Sequence, residues 1–231
     1  MDTKTLKRCF DSNPDGAGVA WTNGHGVTIQ KGLLTWADFA KKALKYNSKE
    51  YAAVFHFRIA THGGVREELT HPFPITNDYS LLNKTKLKHL PFAVAHNGVF
   101  SMLDLDIPKN QSDTTAFIAT LLTPILSAKI NATALQTDEA AFDKIINLLV
   151  SGNRLAIINA DGTIHRYGKT WYEKDGIFFS NSSYMECRSY GYYPYSYGEY
   201  GYPSAYYHNG KKISRGEYEV RKELNNIISM K

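Results

Sequence analysis

The sequence predicts an α+β fold in which helices cover an antiparallel or mixed sheet. Segments typical of strands are grouped near the start of the chain and again after residue 150, and the region between them has mostly helical periodicity. Such grouping favours layers of sheet and helix over the alternating order of a doubly wound fold. The length of 231 residues suits one sizeable domain, because single cores commonly grow to about 150–250 residues.

The first sixty residues contain the signals of two helices, a hairpin and a strand. Apolar residues recur at helical spacing after Asp2 or Thr3, either of which can cap a helix, and Thr35 can cap a second helix. Asn23-Gly24 is a typical hairpin turn. The predicted elements are a helix at 2–11, strands at 17–21 and 26–31, a helix at 36–46, and a strand at 51–60 that is buried on both faces.

The middle of the chain and the region up to residue 180 contain further strands and two helices. Ser112 is placed to cap the first of these helices, and Asp-Gly pairs at 161–162 and 175–176 separate the later strands. The predicted elements are strands at 92–96, 155–159, 163–167 and 177–180, and helices at 112–126 and 138–150.

A change in composition divides the carboxyl-terminal region from the rest. Ten of the 16 tyrosines lie between Tyr184 and Tyr207, interleaved with glycine, serine and proline. Basic residues are sparse there, so a surface loop is favoured over an aromatic platform that stacks on bases or sugars. Ser214 and Glu217 form a capping box for a terminal helix at 214–230. The predicted division is a domain at 1–183, a Tyr/Gly-rich segment at 184–210 and a terminal helical region at 211–231.

Charge, hydropathy and cysteine usage disfavour several classes of function. The net charge is +5, but lysine and arginine are scattered without a basic run, which does not favour nucleic-acid binding. No apolar run approaches about 18 residues, and the amino terminus lacks a signal sequence, so we expect no membrane span and a cytoplasmic location. Cys9 and Cys187 are too far apart in sequence to indicate a metal site or a disulfide framework.

Three blocks combine polar residues with predicted strand ends or helix starts: HFRIATHGG at 56–64, AVAHNGVF at 93–100 and SDT at 112–114. Arg58 in an apolar strand needs an anionic partner, which a substrate carboxylate or a core carboxylate would supply. Asn97 and Gly98 at a strand end can form an oxyanion hole or a hairpin turn. Asp113 in a first helical turn can bind a substrate ammonium or stabilise the helix dipole. Between these blocks, the prolines of THPFPI at 70–75 predict a stiff loop over the site.

The order of these blocks resembles the class II (N-terminal-nucleophile) glutamine amidotransferases. The motifs R-x-A-T-H-G, T-H-P-F, A-V-A-H-N-G and S-D-T, with NPDGAGVAW before them, cover about residues 13–126. The later segments SGNRLAIINADGTIHRYG and GIFFSNSSY are also similar to strands of this family. The similarity is greatest to small stand-alone members of phages and bacteria, which have no synthase domain attached.

The resemblance implies a four-layer αββα sandwich of the Ntn-hydrolase type with mainly antiparallel sheets, and an enzyme without a cofactor or metal. It implies that Arg58 binds the α-carboxylate of glutamine, Asp113 its α-ammonium, and Asn97 with Gly98 the tetrahedral oxyanion. Three further residues would shape the pocket: Thr61, His62 and Gly63. The reaction would release ammonia from the glutamine side chain, and a separate synthase or acceptor protein would use that ammonia.

The nucleophile is where the sequence departs from the family. In the family, a cysteine exposed as the first residue attacks the amide and its own α-amine acts as the base. Here Met1 precedes Asp2, and Cys9 lies on the apolar side of a predicted helix, which indicates a core thiol. We expect either a start upstream with Met-Cys or a truncated chain that is inactive as written. The alternative is a non-catalytic module that binds a partner or an amino acid.

Histidines suggest a second alternative, a metal-dependent hydrolase. Five of the eight lie within one third of the chain: His56, His62, His71, His89 and His96. Their spacing matches no H-E-x-x-H motif or carboxylate–histidine pair, and His56 is expected to face the opposite side of its strand from Phe55 and Phe57. The spacing therefore disfavours a metal site.

Overall fold

The structure, a computed structural model, describes residues 1–60, 64–131, 139–185, 206–208 and 211–213. The chain divides into two compact units, Met1–Met185 and Glu186–Lys231. The elements of the first unit are α1 (Thr3–Ser12), β1 (Ala17–Thr22), β2 (Val27–Leu33), α2 (Trp36–Lys42), β3 (Ala52–Phe57), β4 (Phe73–Pro74), α3 (Tyr79–Leu82), β5 (Lys86–Leu90), β6 (Phe92–Asn97), α4 (Asp113–Phe117), α5 (Thr123–Asn131), α6 (Glu139–Leu149), β7 (Arg154–Asn159), β8 (Ile164–Gly168), β9 (Tyr172–Lys174) and β10 (Ile177–Phe179). Short 3-10 helices lie at Leu44–Tyr46, Glu67–Leu69 and Ser182–Tyr184, and a π-helix joins α4 to α5.

Two four-stranded sheets form the framework of the first unit. Their strand orders are β3-β1-β2-β5 and β4-β6-β7-β8, and β9 pairs with β10 as a separate hairpin. Every pair of strands in the described part of the chain is antiparallel. The predicted α+β class with antiparallel sheets is therefore confirmed.

Three hydrophobic clusters hold these elements together, and alternate residues of a strand enter different clusters. Ala20 of β1 and Ile29 of β2 pack with Ala93 of β6, so one cluster joins the two sheets. Val19 of β1 instead packs with residues of α1 and α2. A third cluster places residues of α4, α6 and the π-helix against β6 and β7 of the second sheet.

The helix starts follow the predicted caps. Asp2 precedes α1 and accepts a hydrogen bond from Thr5 N at 2.7 Å, and Thr35 caps α2 through Asp38 N. Ser112 forms a capping box with Thr115 at the start of α4. The helix predicted at 112–126 is interrupted by π geometry at Ile118–Leu122, where the Thr120 hydroxyl donates to Ala116 O. Local side-chain chemistry therefore determines where these helices begin.

Two predictions near the site are wrong in detail. The strand predicted at 51–60 is the shorter β3, and all of its residues are half-buried because β3 is at the edge of its sheet. The predicted loop at 70–75 instead contains β4, which pairs with β6. A proline is tolerated in β4 because β4 is an edge strand.

The second unit is described only at one hairpin, in which β11 (Tyr206–His208) pairs with β12 (Lys211–Ile213). The prediction of a C-terminal helical region at 211–231 is wrong at Lys211–Ile213, which form β12, and the helix predicted at 214–230 lies outside the described residues. Tyr184 belongs to the first unit, where its ring stacks on Phe179 at 3.9 Å between centroids. Of the helices that the structure describes, none combines the length and apolarity that crossing a membrane requires.

Truncating Ile29 tests whether the two sheets share a packed core. Ile29 is fully buried in the cluster between them. We expect Ile29→Ala to lower the free energy of unfolding by about 2–4 kcal/mol, and the matched Ile29→Val by about 1 kcal/mol, because of lost transfer energy and a residual cavity. Urea denaturation measures both values. A cost below about 1 kcal/mol for the alanine variant would contradict the packing described here.

Candidate functional site

Arg58 follows β3 directly, and its backbone continues the pairing of that strand. Its N–H donates to Gly16 O at 2.8 Å, and its carbonyl accepts from Asp15 N at 2.9 Å. The side chain is only 6% exposed, and its Nη1 donates to Gly64 O at 2.8 Å. Burial lowers the pKa of Arg58, whereas the negative charges of Asp15 and Asp113 raise it. Arg58 is thus a buried cation within the field of two carboxylates.

Asp113 is the first residue of α4 and is also only 6% exposed. Its Oδ2 accepts a hydrogen bond from Phe100 N at 2.8 Å. Its second carboxylate oxygen has no hydrogen-bond partner among the described residues. A buried carboxylate with spare acceptor capacity is costly unless a cation or donor completes its environment. Asp113 can therefore accept a ligand ammonium without losing its bond to the backbone.

Asn97 and Gly98 stand at the carboxyl end of β6. Asn97 Nδ2 donates one proton to Ser180 Oγ at 2.8 Å, which leaves the second amide proton for another acceptor. Gly98 has φ +138°, and in the described part of the chain its N–H has no hydrogen-bond acceptor. The chain continues from Gly98 towards α4, so the hairpin-turn alternative is wrong. Two N–H donors are thus available at one strand end.

His96, the residue before Asn97, is buried behind this strand end. Its Nδ1 lies 2.8 Å from Thr114 Oγ1, and its Nε2 lies 3.1 Å from Asn153 Oδ1. Burial lowers the pKa of His96 to about 4, although Asp113 and the bond to Asn153 raise it. The ring is therefore neutral at pH 7. Because an amide oxygen only accepts, Nε2 carries the proton and Nδ1 accepts from the Thr114 hydroxyl.

Two more histidines stack beside His96. The rings of His56 and His71 have centroids 4.2 Å apart. His56 Nε2 donates to His96 O at 2.9 Å, and His71 Nδ1 accepts from His96 N at 3.2 Å. Burial lowers the pKa of His56 to about 3 and the pKa of His71 well below its usual 6.5. Within the described ranges, no three metal-binding side chains are grouped closely enough to hold an ion.

Asn153 is a buried site residue that the sequence analysis missed. It precedes β7, and its Nδ2 donates to Ser151 O while its Oδ1 accepts from His96. A side-chain carbon at position 98 would lie 1.9 Å from this Oδ1, so Asn153 packs directly against Gly98. Asn153 thus links the buried imidazole to the glycine with the free N–H. Asn-Arg before an apolar strand was the only sequence signal, and it is not specific.

A cavity of about 390 Å³ lies beside β3 and the face of the second sheet that carries Asn97. Of the predicted site residues in the described part of the chain, Asn97 lines this cavity, whereas Arg58, Gly98 and Asp113 do not. The structure therefore brings Arg58 and Asp113 within electrostatic reach of each other and places Asn97 at the cavity. The remaining predicted pocket residues lie outside the described residues: Thr61, His62 and Gly63.

Cys9 lines the same cavity but is only 5% exposed. Burial raises the pKa of its thiol, although a hydrogen bond with Ser183 lowers it. At neutral pH Cys9 is thus a thiol and not the thiolate that nucleophilic attack requires. This environment is that of the predicted core thiol. Cys187 lies outside the described residues.

Comparison of the chain with models of known protein families finds no matching family, and comparison with curated proteins finds no similar sequence.

The neutral state of His96 predicts a pH dependence of stability. Its pKa falls from 6.5 in the unfolded chain to about 4 in the fold, so the unfolded state binds more protons between these values. The contribution of neutral His96 to the free energy of unfolding is therefore full above pH 6.5 and decreases as the pH falls. About 3 kcal/mol of it is lost by pH 4. We expect His96→Gln to remove about that much of the difference between urea-derived stabilities at pH 7 and pH 4. His89→Gln, at an exposed site, is the control, and an undiminished acid loss in His96→Gln would refute the assignment.

Gly98→Ala tests the close contact with Asn153. The new methyl group would clash with Asn153 Oδ1. The substitution also places an L-residue at φ +138°, a conformation that side chains rarely allow. We expect a loss of about 2–4 kcal/mol in the free energy of unfolding. Gly176→Ala is the matched control, because Gly176 has φ +73° with open space around it, and it should cost about 1 kcal/mol. Equal losses in thermal or urea denaturation would mean that Asn153 does not constrain Gly98.

Proposed function

We propose that the chain is a glutaminase domain of the class II glutamine amidotransferase type, which hydrolyses the side-chain amide of glutamine and releases ammonia for an acceptor. The proposal depends on one observation: at the end of β6, the second amide proton of Asn97 and the N–H of Gly98 have no acceptor among the described residues, in a region that also contains a buried cation and a buried carboxylate. An amino acid with a side-chain amide has the complementary groups.

The charges of Arg58 and Asp113 suit the main-chain end of a free amino acid. A guanidinium binds a carboxylate through parallel hydrogen bonds, and a carboxylate binds an ammonium. Both protein groups are buried, where such interactions are stronger than in water. A zwitterionic ligand would neutralise both groups at once.

The donors at Asn97 and Gly98 suit the other end of glutamine. Attack on an amide carbonyl creates a tetrahedral intermediate whose oxygen is negatively charged. Donors that are fixed before the reaction stabilise this oxygen, and one such donor is typically worth about 10²–10³ in rate. His96 and Asn153 hold Gly98 from behind, which would keep its N–H in a fixed direction.

The packing of the first unit supports the four-layer αββα arrangement that the resemblance implies. One cluster lies between the two sheets. A second joins the first sheet to α1 and α2, and a third joins the second sheet to α4 and α6. The layers of such a sandwich follow the order helices, first sheet, second sheet and helices. We propose this architecture as part of the same assignment.

The nucleophile is the component that the described residues do not supply in activated form. β3 is an edge strand, and its residues line the cavity that also reaches Asn97. An extended segment beside β3 could place a cysteine with a free α-amine next to Asn97. That amine titrates near pH 8 and can take the thiol proton. The thiolate would attack the amide carbon, ammonia would leave with a proton, and water would hydrolyse the thioester to glutamate.

A second candidate function is a non-catalytic module that binds an amino acid. The raised pKa of Cys9 favours it, because the one thiol at the described cavity is not a nucleophile at neutral pH. Both candidates require the same ligand contacts at Arg58 and Asp113. They differ in turnover, since only the first produces glutamate and ammonia.

Isothermal titration with L-glutamine tests the contacts that both candidates share. We expect Arg58→Gln and the isosteric Asp113→Asn each to weaken binding by about 30–100-fold, since each loses a charge-assisted hydrogen bond worth about 2–3 kcal/mol. Arg66→Gln is the matched control, because Arg66 is half exposed and paired with Glu68, and it should bind as the wild type does. D-glutamine should bind more weakly than L-glutamine.

An ammonia-release assay then separates the two candidates. A chain that begins with an added segment carrying an N-terminal cysteine should hydrolyse glutamine, and Asn97→Ala should lower its rate by about 10²–10³. Binding without turnover in that chain would favour the non-catalytic module. Wild-type affinity in both Arg58→Gln and Asp113→Asn would contradict both candidates.

A further inference from the structure

A second concave surface of the first unit concentrates positive charge. Five exposed lysines line it: Lys41, Lys42, Lys45, Lys86 and Lys88. We call this surface the lysine groove. Exposed His25 and His89 also line it, and Glu50 is its one lining carboxylate. Lys42 lies 3.6 Å from Asp38, whereas no salt bridge to a described carboxylate involves the other four lysines.

The fold assembles the lysine groove from segments about forty residues apart in sequence. Lys41 and Lys42 end α2, and Lys45 lies in the 3-10 helix that follows. Lys86 and Lys88 lie on β5, which pairs with β2, and Leu87 between them packs towards the core. The alternation of β5 therefore directs both of its lysines to the same exposed face. The fold thus brings together lysines that are scattered in the sequence.

Aromatic rings and amides line the same groove. Trp21 stacks on Tyr46 at 3.6 Å between centroids, and Tyr51 meets Tyr46 edge-on at 5.3 Å. All three residues are half-buried. The side chains of Asn23 and Gln30 also line the groove and provide donors and acceptors. The surface thus combines a row of cations with rings that still have accessible area.

We propose that the lysine groove binds single-stranded nucleic acid, with its phosphates on the lysines and unpaired bases against the aromatic rings. Like charges gathered on one surface repel each other, and a polyanion removes that repulsion while its counterions are released. Aromatic rings accept bases that are not stacked in a duplex, which favours a single strand over double-stranded nucleic acid or an acidic protein. This inference does not depend on the proposed glutaminase function, because none of the five lysines lines the cavity beside β3, although Tyr46 and Tyr51 line both surfaces.

Fluorescence anisotropy of a labelled 15-nucleotide oligouridine with the full chain tests the inference. We expect Lys41→Glu/Lys42→Glu/Lys45→Glu to weaken binding at 50 mM NaCl by more than about tenfold, and to lower the slope of log K against log salt by about 2. The control carries the same change of charge at exposed lysines outside the groove, Lys109→Glu/Lys144→Glu/Lys174→Glu, and should change affinity by less than about threefold.

Three outcomes would overturn the inference: no binding by the wild type at 50 mM NaCl, equal loss in the two triple variants, or equally tight binding of inorganic polyphosphate.

Tyr51→Leu should weaken oligouridine binding by about fivefold or more and leave polyphosphate binding unchanged, because only bases stack. Circular dichroism confirms folding, and Lys41→Gln/Lys42→Gln/Lys45→Gln repeats the test without reversing charge if the glutamate variant unfolds.

Discussion

The buried imidazole of His96 is the interaction on which the rest of the site depends. His96 connects α4 through its ring contact with Thr114, the loop before β7 through its ring contact with Asn153, and β3 through its backbone carbonyl, which accepts from His56 Nε2. Because burial lowers the pKa of His96 to about 4, the ring is neutral at pH 7, and Nδ1 then accepts from the Thr114 hydroxyl while Nε2 donates to Asn153. Because Asn153 packs against Gly98, the same ring fixes the strand end that carries the two free donors.

Burial of opposite charges is the electrostatic basis of the ligand preference that we propose. Arg58 and Asp113 are both almost completely buried, and the carboxylate of Asp113 counteracts the fall in the pKa of Arg58 that burial causes. Desolvated charges cost free energy unless they are compensated. Under the proposed function, a free amino acid would add a carboxylate at Arg58 and an ammonium at Asp113, which a neutral amide could not supply.

Local chemistry in the sequence predicted much of the fold, and long-range packing accounts for the rest. The caps at Asp2, Thr35 and Ser112 and the first hairpin depend on residues within a few positions of each other, so they were predictable. β4 and β5 are short edge strands whose pairing partners are distant, and the sequence analysis missed them. The contact of Asn153 with Gly98 and the lysine groove also arise only when distant segments meet. The roles of Arg58, Asn97 and Asp113 came from ordered motifs and stay predictions.

A crystal structure of the chain with L-glutamine tests the central claim most directly. We expect the α-carboxylate on the guanidinium of Arg58, the α-ammonium on the second carboxylate oxygen of Asp113, and the amide oxygen within hydrogen-bond distance of Asn97 Nδ2 and Gly98 N. A ligand bound elsewhere, or one whose charged groups face neither Arg58 nor Asp113, would contradict it.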